Sequence, residues 1–135
     1  MRCVLGLRTL ALVARIPEAP LTRHGYYELR PLDVLGCADL VLVDVWPLAD
    51  LTRGFGHIAG VRQRLGADVR ATGLPLPKDT PVVLVCNNGH ESRRLVIALV
   101  AEHGFTEVFH LVGGMLRWTA EERPVSMTPS WVVLP

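Results

Sequence analysis

Residues 81–94, PVVLVCNNGHESRR, place a cysteine between a short apolar run and a compact polar loop. The apolar run, residues 82–85, is aliphatic without interruption, which is typical of a strand buried on both faces of a parallel sheet. Cys86 follows the strand at its carboxyl end, and five residues typical of turns separate it from Ser92. Ser92 is a suitable N-cap for a helix that continues to Glu102.

This arrangement gives Cys86 the surroundings of a reactive thiol. A side chain at the end of the strand faces the backbone N–H groups of the loop and the N-terminus of the next helix. Both features favour an anion on sulfur. Cys86 is therefore a candidate nucleophile, and the alternative is the buried structural thiol that free cysteines usually are. The predicted anion-binding loop consists of Asn87, Asn88, Gly89, His90, Glu91 and Ser92.

The composition limits the class of protein. The chain has 135 residues, of which half are hydrophobic and a fifth are charged, as expected for one globular domain and not for a disordered chain. The net charge of +1 gives no electrostatic case for nucleic-acid binding. No apolar run has the length of a membrane-spanning helix, and Arg8 interrupts an N-terminal segment that faintly resembles a signal peptide.

The three cysteines, at positions 3, 37 and 86, form neither a CxxC pair nor a zinc-site spacing. An odd number without a disulfide framework indicates a reducing compartment, and the cytoplasm is the predicted location. The five histidines do not cluster in the sequence, so no metal site is predicted.

The rest of the chain alternates between strand and helix patterns. The other predicted strands and helices are residues 26–29, 31–35, 40–45, 62–72, 108–111 and 115–122, in the order strand, helix, strand, helix, strand, helix. Two less regular segments, 5–16 and 47–53, are predicted to hold a short amphipathic helix and one or two helical turns. The tail, 126–135, is expected to add an edge strand or to dock on the surface.

This alternation predicts an α/β domain with a mainly parallel central sheet and helices on both faces. Ligand sites in such domains lie beyond the carboxyl ends of the strands. Cys86 and Asp44 both follow or end a predicted strand, so both are expected at that edge.

Four segments, in the right order, resemble the single-domain rhodaneses, a family of sulfurtransferases. The resemblance rests on DV with GHIAGV at 44–45 and 56–61, CNNGHES at 86–92, EVFHLVGGMLRW at 107–118 and ERPV at 122–125. CNNGHES corresponds to the family's CxxGxxS loop, and the later segment to its V-x-x-L-x-GG-x-x-x-W signature. The predicted domain covers residues 26–125, with an extension at 1–25 and a tail at 126–135.

The resemblance implies sulfur transfer through a persulfide on Cys86. The thiolate would take the outer sulfur of thiosulfate or of another persulfide, and cyanide or a thiol would then accept it. It implies no metal and no organic cofactor. The expected partners are a small sulfur-containing substrate or a thiol acceptor protein, with neither nucleic acid nor membrane, and the oligomeric state stays open.

Two departures from the family pattern bear on activity. Active members often carry a basic residue directly after the cysteine or five positions beyond it, where this chain has Asn87 and Glu91. A nearby carboxylate is expected to repel the thiolate, so Glu91→Arg should favour ionisation of the thiol and speed turnover. Trp46 replaces the arginine that usually follows Asp-Val, and is expected to line or plug the pocket.

Three further residues are candidates for support of the site. Asp44 is expected to hold loops through its carboxylate, and His57 to bond a glycine-rich turn rather than to catalyse. Arg93 is expected one turn into the helix, where its charge could offset Glu91.

Two other functions compete with the sulfurtransferase. The departures favour a non-catalytic rhodanese-fold module that binds a partner or senses persulfides. A cysteine phosphatase or arsenate reductase on the same fold would need an arginine six positions after the cysteine, where this chain has Ser92.

Overall fold

The computed structural model describes residues 21–47, 56–128 and 131–135. Its strands are β1 (Tyr27–Leu29), β2 (Val41–Asp44), β3 (Arg62–Gln63), β4 (Val82–Val85), β5 (Val108–Leu111) and β6 (Val132–Val133). Its helices are α1 (Pro31–Leu35), α2 (Gly66–Thr72), α3 (His90–Ala101) and α4 (Gly114–Ala120). None of the helices in these ranges is long and apolar enough to cross a membrane.

The six strands form one sheet in the order β1-β5-β4-β2-β3-β6, and every neighbouring pair is parallel. β4 lies between β2 and β5, and all four of its residues are buried. A strand covered on both faces needs an unbroken aliphatic sequence, as the run before Cys86 provides. β6 is an edge strand formed by the tail, one of the two arrangements expected for it.

The two faces of the sheet carry separate apolar cores. One core joins Val83 and Val85 of β4 to Met115 and Trp118 of α4. The other joins Val82 and Leu84 to side chains of α2 and α3, and it includes Cys86. Because helices cover both faces, the α/β architecture predicted from the sequence is confirmed.

One predicted helix, residues 62–72, is wrong in its first part. Arg62 and Gln63 form β3, which pairs with β2 and β6, and the helix begins only at Gly66. Gln63 is 4% exposed while Arg62 is half-buried, which is the alternation of a strand. A two-residue strand is too short to leave a recognisable pattern in the sequence.

The other predicted strands and helices of the described ranges are present, with ends that differ by at most three residues. The interpretation of residues 5–16 lies outside the described residues, as does all but the first residue of the turns expected at 47–53.

Candidate active site

Cys86 lies immediately after β4, at the carboxyl edge of the sheet, and its side chain is 1% exposed. Two backbone amides and one hydroxyl of the described residues surround its Sγ atom. The backbone N of Gly89 lies 3.1 Å from Sγ, the backbone N of Ser92 lies 3.4 Å away, and the Ser92 Oγ lies 3.2 Å away. The predicted anion-binding loop therefore directs two backbone N–H donors at the sulfur, and its Ser92 hydroxyl accepts a hydrogen bond from the thiol.

The described ranges contain a single free cysteine, Cys86. Cys37 is buried and disulfide-bonded, which differs from the expectation that no cysteine of this chain belongs to a disulfide framework.

Helix α3 starts earlier than the sequence predicts, and Ser92 is not its N-cap. The Asn88 Oδ1 accepts a hydrogen bond from the His90 N–H at 2.9 Å, which fixes the turn before the helix. Gly89, with φ of 90°, is the N-cap, and helical residues begin at His90. Ser92 thus lies in the first helical turn, fully buried, where its hydroxyl reaches the thiol instead of capping the helix.

The N-terminus of α4 holds the other side of the loop. Its Met115 and Leu116 amides donate to the Cys86 and Asn87 carbonyl oxygens, both at 2.9 Å. A Cβ atom on Gly114, which has φ of 57°, would overlap the Cys86 oxygen. The second glycine of the family signature is therefore required by this close approach of backbone to backbone.

Sequence reasoning missed His110, a residue of β5 that lies behind the loop. It is 3% exposed, and its Nε2 lies 3.0 Å from both the Ser92 Oγ and the Gly89 oxygen. The sequence offered one signal, a histidine within residues 108–111, whose other residues have the pattern of a fully buried strand.

Burial is the main cause that lowers the pKa of His110 below its ordinary value of 6.5. The Arg93 charge also lowers this pKa, whereas the hydrogen bond to the Gly89 oxygen and the Glu28 carboxylate raise it. His110 is therefore favoured as the neutral imidazole.

Asp44 and Trp46 were both predicted near the site. Asp44 is the last residue of the neighbouring strand β2, and Trp46 lies in the turn that follows it. The Asp44 Oδ1 accepts a hydrogen bond from the Trp46 N–H at 3.0 Å, so this carboxylate shapes the turn after the strand. Gln63 donates its Nε2–H to the Trp46 carbonyl at 2.8 Å. The Trp46 side chain is half-buried and packs against the core that includes Cys86.

His57 belongs to a different part of the structure. It is fully buried, its N–H donates to the Ser126 carbonyl at 3.0 Å, and its ring meets the Trp131 ring edge-on at 4.7 Å between centroids. These contacts join the segment before β3 to the tail.

The charged side chains of α3 lie on its exposed side. The Arg93 Nε donates to the Tyr26 hydroxyl at 3.3 Å. The Glu91 carboxylate lies against Gly66 of α2, so closely that a Cβ atom there would overlap its Oε1. Glu91 also borders a cavity of about 390 Å³ together with Arg70 and Arg94. Its side chain therefore runs towards α2.

Within the described ranges, no group of three or more His, Cys, Asp or Glu side chains is arranged to hold a metal ion.

Known proteins resemble this chain in both sequence and structure. The family model for the rhodanese-like domain matches residues 32–121. The Escherichia coli K12 protein YibN, described as uncharacterized, is 33% identical over 90 residues, which are 64% of this chain and 61% of YibN. The thiosulfate sulfurtransferase GlpE of Pseudoalteromonas translucida is 29% identical over 89 residues, 66% of this chain and 82% of GlpE.

The crystal structure of a rhodanese-related protein from Thermoplasma volcanium has the same fold. The TM-score is 0.64 at 21% identity, with 75% of this chain and 98% of the other covered. Because the family model matches two thirds of the sequence and the signature residues surround the buried thiol, the chain belongs to the rhodanese-like domain family.

Proposed function

We propose that the protein is a sulfurtransferase that carries sulfane sulfur on Cys86. The observation that supports this most is the set of two backbone N–H donors and one hydroxyl within 3.4 Å of the Sγ atom, from Gly89 and Ser92. Donors aimed at a sulfur stabilise a thiolate, and they equally suit a persulfide anion.

In the first step, the Cys86 thiolate attacks the outer sulfur of thiosulfate. The new S–S bond forms as the old one breaks, and sulfite leaves with the bonding electron pair. In the second step, cyanide or a thiolate attacks the outer sulfur of the persulfide. Thiocyanate or a new persulfide then leaves, and the Cys86 thiolate is regenerated.

The charges around the loop bear on the choice of donor. The polar groups that contact Sγ are two backbone amides and a hydroxyl, all uncharged, while the Glu91 and Arg93 side chains point to α2 and to Tyr26. A dianion such as thiosulfate gains more from a full positive charge than a thiol persulfide does. We therefore propose a thiol persulfide as the better donor and a thiol, free or on a protein, as the acceptor.

The test measures thiocyanate formed from cyanide, with thiosulfate or glutathione persulfide as donor. Wild type should turn over both donors, with a higher kcat/KM for the persulfide, and Cys86→Ser should turn over neither. No thiocyanate from either donor with the wild-type protein would refute catalysis. A higher kcat/KM for thiosulfate would refute the donor preference alone.

The burial of Cys86, 1% exposed, favours one alternative, a module that senses persulfides without turning them over. Such a module would take up one sulfur from glutathione persulfide and keep it when cyanide or a thiol is added. Release of that sulfur within the time of the transfer assay would exclude the sensor.

A further inference from the structure

A chain of three side chains leads from the thiol into the core. The Cys86 Sγ lies 3.2 Å from the Ser92 Oγ, which lies 3.0 Å from the His110 Nε2. All three residues are at most 3% exposed. A buried histidine of this kind is not explained by apolar packing, because its polar atoms must be satisfied inside the protein.

The neighbours of His110 determine which ring nitrogen carries the proton. The Gly89 carbonyl oxygen, 3.0 Å from Nε2, can only accept a hydrogen bond, so Nε2 must donate. In the neutral ring, Nδ1 is then unprotonated. Among the described residues, Nδ1 has no hydrogen-bond partner, and the Glu28 Oε2 lies 4.0 Å from it.

This tautomer restricts the Ser92 hydroxyl. A protonated Nε2 has no free lone pair and shares its one proton between the Gly89 oxygen and the Ser92 Oγ, so the serine must direct its own proton elsewhere. Among the described residues, its hydroxyl donates to the Gly89 oxygen at 3.4 Å, and it lies 3.2 Å from the Cys86 Sγ, which donates its S–H to the Ser92 Oγ while the thiol is protonated. The Gly89 oxygen already accepts from His110 and from the Arg93 N–H. Once Cys86 is ionised, Sγ is the stronger acceptor.

We propose that His110 is a positioning residue of the sulfur-carrying site. As a neutral Nε2–H donor, it holds the Ser92 hydroxyl so that its O–H points at the Cys86 sulfur and stabilises the thiolate and the persulfide anion. Because Nε2 already carries a proton, His110 is not a general base for the thiol. The inference rests on the proposed function, since it names a residue that serves the same sulfur.

The groups that face His110 are consistent with this role. From β1 and the residue before it come the Glu28 carboxylate and the Tyr26 ring, which lies edge-on with centroids 6.1 Å apart. From α3 come the Ser92 hydroxyl, the Gly89 carbonyl at its N-cap, and the Arg93 charge. Within the described residues, Glu28 is the acid that could pair with His110 if the ring were protonated.

The test is the rate of iodoacetamide alkylation of Cys86 against pH, which needs no sulfur chemistry. Ser92→Ala should raise the midpoint by about one pH unit, because it removes a donor to an anion. His110→Leu should raise the alkylation midpoint by about half a pH unit, since the Ser92 hydroxyl remains but no longer has a histidine to fix its orientation. His110→Gln, whose side-chain amide can donate from nearly the same place, should restore most of the wild-type midpoint.

The double variant separates positioning from a general structural effect. If His110 acts through Ser92, the double variant should have the same alkylation midpoint as Ser92→Ala alone. An additive shift, or a wild-type midpoint in His110→Leu, would overturn the proposal. Persulfide formation by wild type is scored separately, so loss of the proposed function and loss of this inference give different results.

The tautomer can be read without any variant. The imidazole ¹⁵N shifts of the wild-type protein at pH 7 should show a protonated Nε2 and an unprotonated Nδ1 for His110. A protonated Nδ1 with a bare Nε2 would overturn the proposal even if the variants failed to fold.

Discussion

The first turn of α3 has two sides with opposite chemistry. Its inner side, formed by Gly89 and Ser92, directs neutral donors at a buried sulfur and is backed by His110. Its outer side, formed by His90, Glu91, Arg93 and Arg94, is exposed and carries the charges. We propose from this contrast that oriented dipoles at close range, rather than ionic side chains, stabilise an anion on the Cys86 sulfur.

This difference has a physical reason. A charge on an exposed side chain is screened by water, whereas a donor at 3.1 Å in a buried site acts at full strength without mobile solvent in between. The inner side therefore controls the thiol, and changes there should have much larger effects than changes on the outer side.

The largest expected effect comes from Gly114→Ala, which breaks the inner side. The new Cβ atom would overlap the Cys86 and Asn87 carbonyl oxygens at a φ of 57°. We expect a loss of about 2–5 kcal/mol in the free energy of unfolding, from backbone strain and overlap together. Urea denaturation measures it.

Gly104→Ala is the matched control for that loss. Gly104 also has a positive φ, 72°, but a Cβ atom there meets nothing within 4 Å. Gly104→Ala should lower the free energy of unfolding by only about 1 kcal/mol, the penalty for a left-handed backbone at a residue that has a Cβ atom. If Gly114→Ala and Gly104→Ala lowered the free energy of unfolding equally, the close approach of α4 to the loop would not be what requires glycine at position 114.

Ser92→Ala should have the next largest effect. Loss of one hydrogen bond to a charged sulfur should lower turnover about tenfold or more, with little change in folding. Steady-state thiocyanate formation measures it. Ser126→Ala removes a hydroxyl whose hydrogen bonds among the described residues are to Thr128, and it should behave as wild type. Equal activity of the two serine variants would contradict the role of the inner side.

A smaller effect concerns stability in acid. Burial lowers the pKa of His110 below 6.5, so the unfolded chain binds this proton more tightly than the folded one does. The free energy of unfolding should therefore decrease as the pH falls from about 6.5 to the lower pKa that His110 has in the folded protein. Denaturation in urea across this range should show a shallower loss for His110→Gln than for wild type. If the free energy of unfolding of His110→Gln decreased with falling pH as steeply as that of wild type, protonation of His110 would not be the cause of the loss.

The smallest effect is expected on the outer side, for Glu91→Arg. The sequence alone predicted that this change would favour the thiolate and speed turnover. Because the Glu91 carboxylate lies against Gly66 of α2, we now expect a smaller change in the alkylation midpoint than Ser92→Ala causes. A larger change than that of Ser92→Ala would reverse our ranking of the two sides.

The sequence predicted the sheet and the position of Cys86 because both depend on local patterns. An unbroken aliphatic run followed by a polar loop is informative wherever it occurs. The start of α3 was misplaced because it depends on one side-chain contact, from Asn88 to His90, where Ser92 offered an equally plausible cap.

The role of His110 could not be predicted from the sequence, because its contacts join β5 to residues about twenty positions earlier. The direction of Glu91 likewise depends on how α2 packs against α3, which no pattern in either segment specifies.

The most direct test of sulfur transfer is the intact mass of the protein after incubation with glutathione persulfide or thiosulfate and removal of the donor. We predict a gain of one sulfur atom, located on Cys86, that is absent in Cys86→Ser and is lost when cyanide is added. A wild-type mass that is unchanged by either donor would contradict the account.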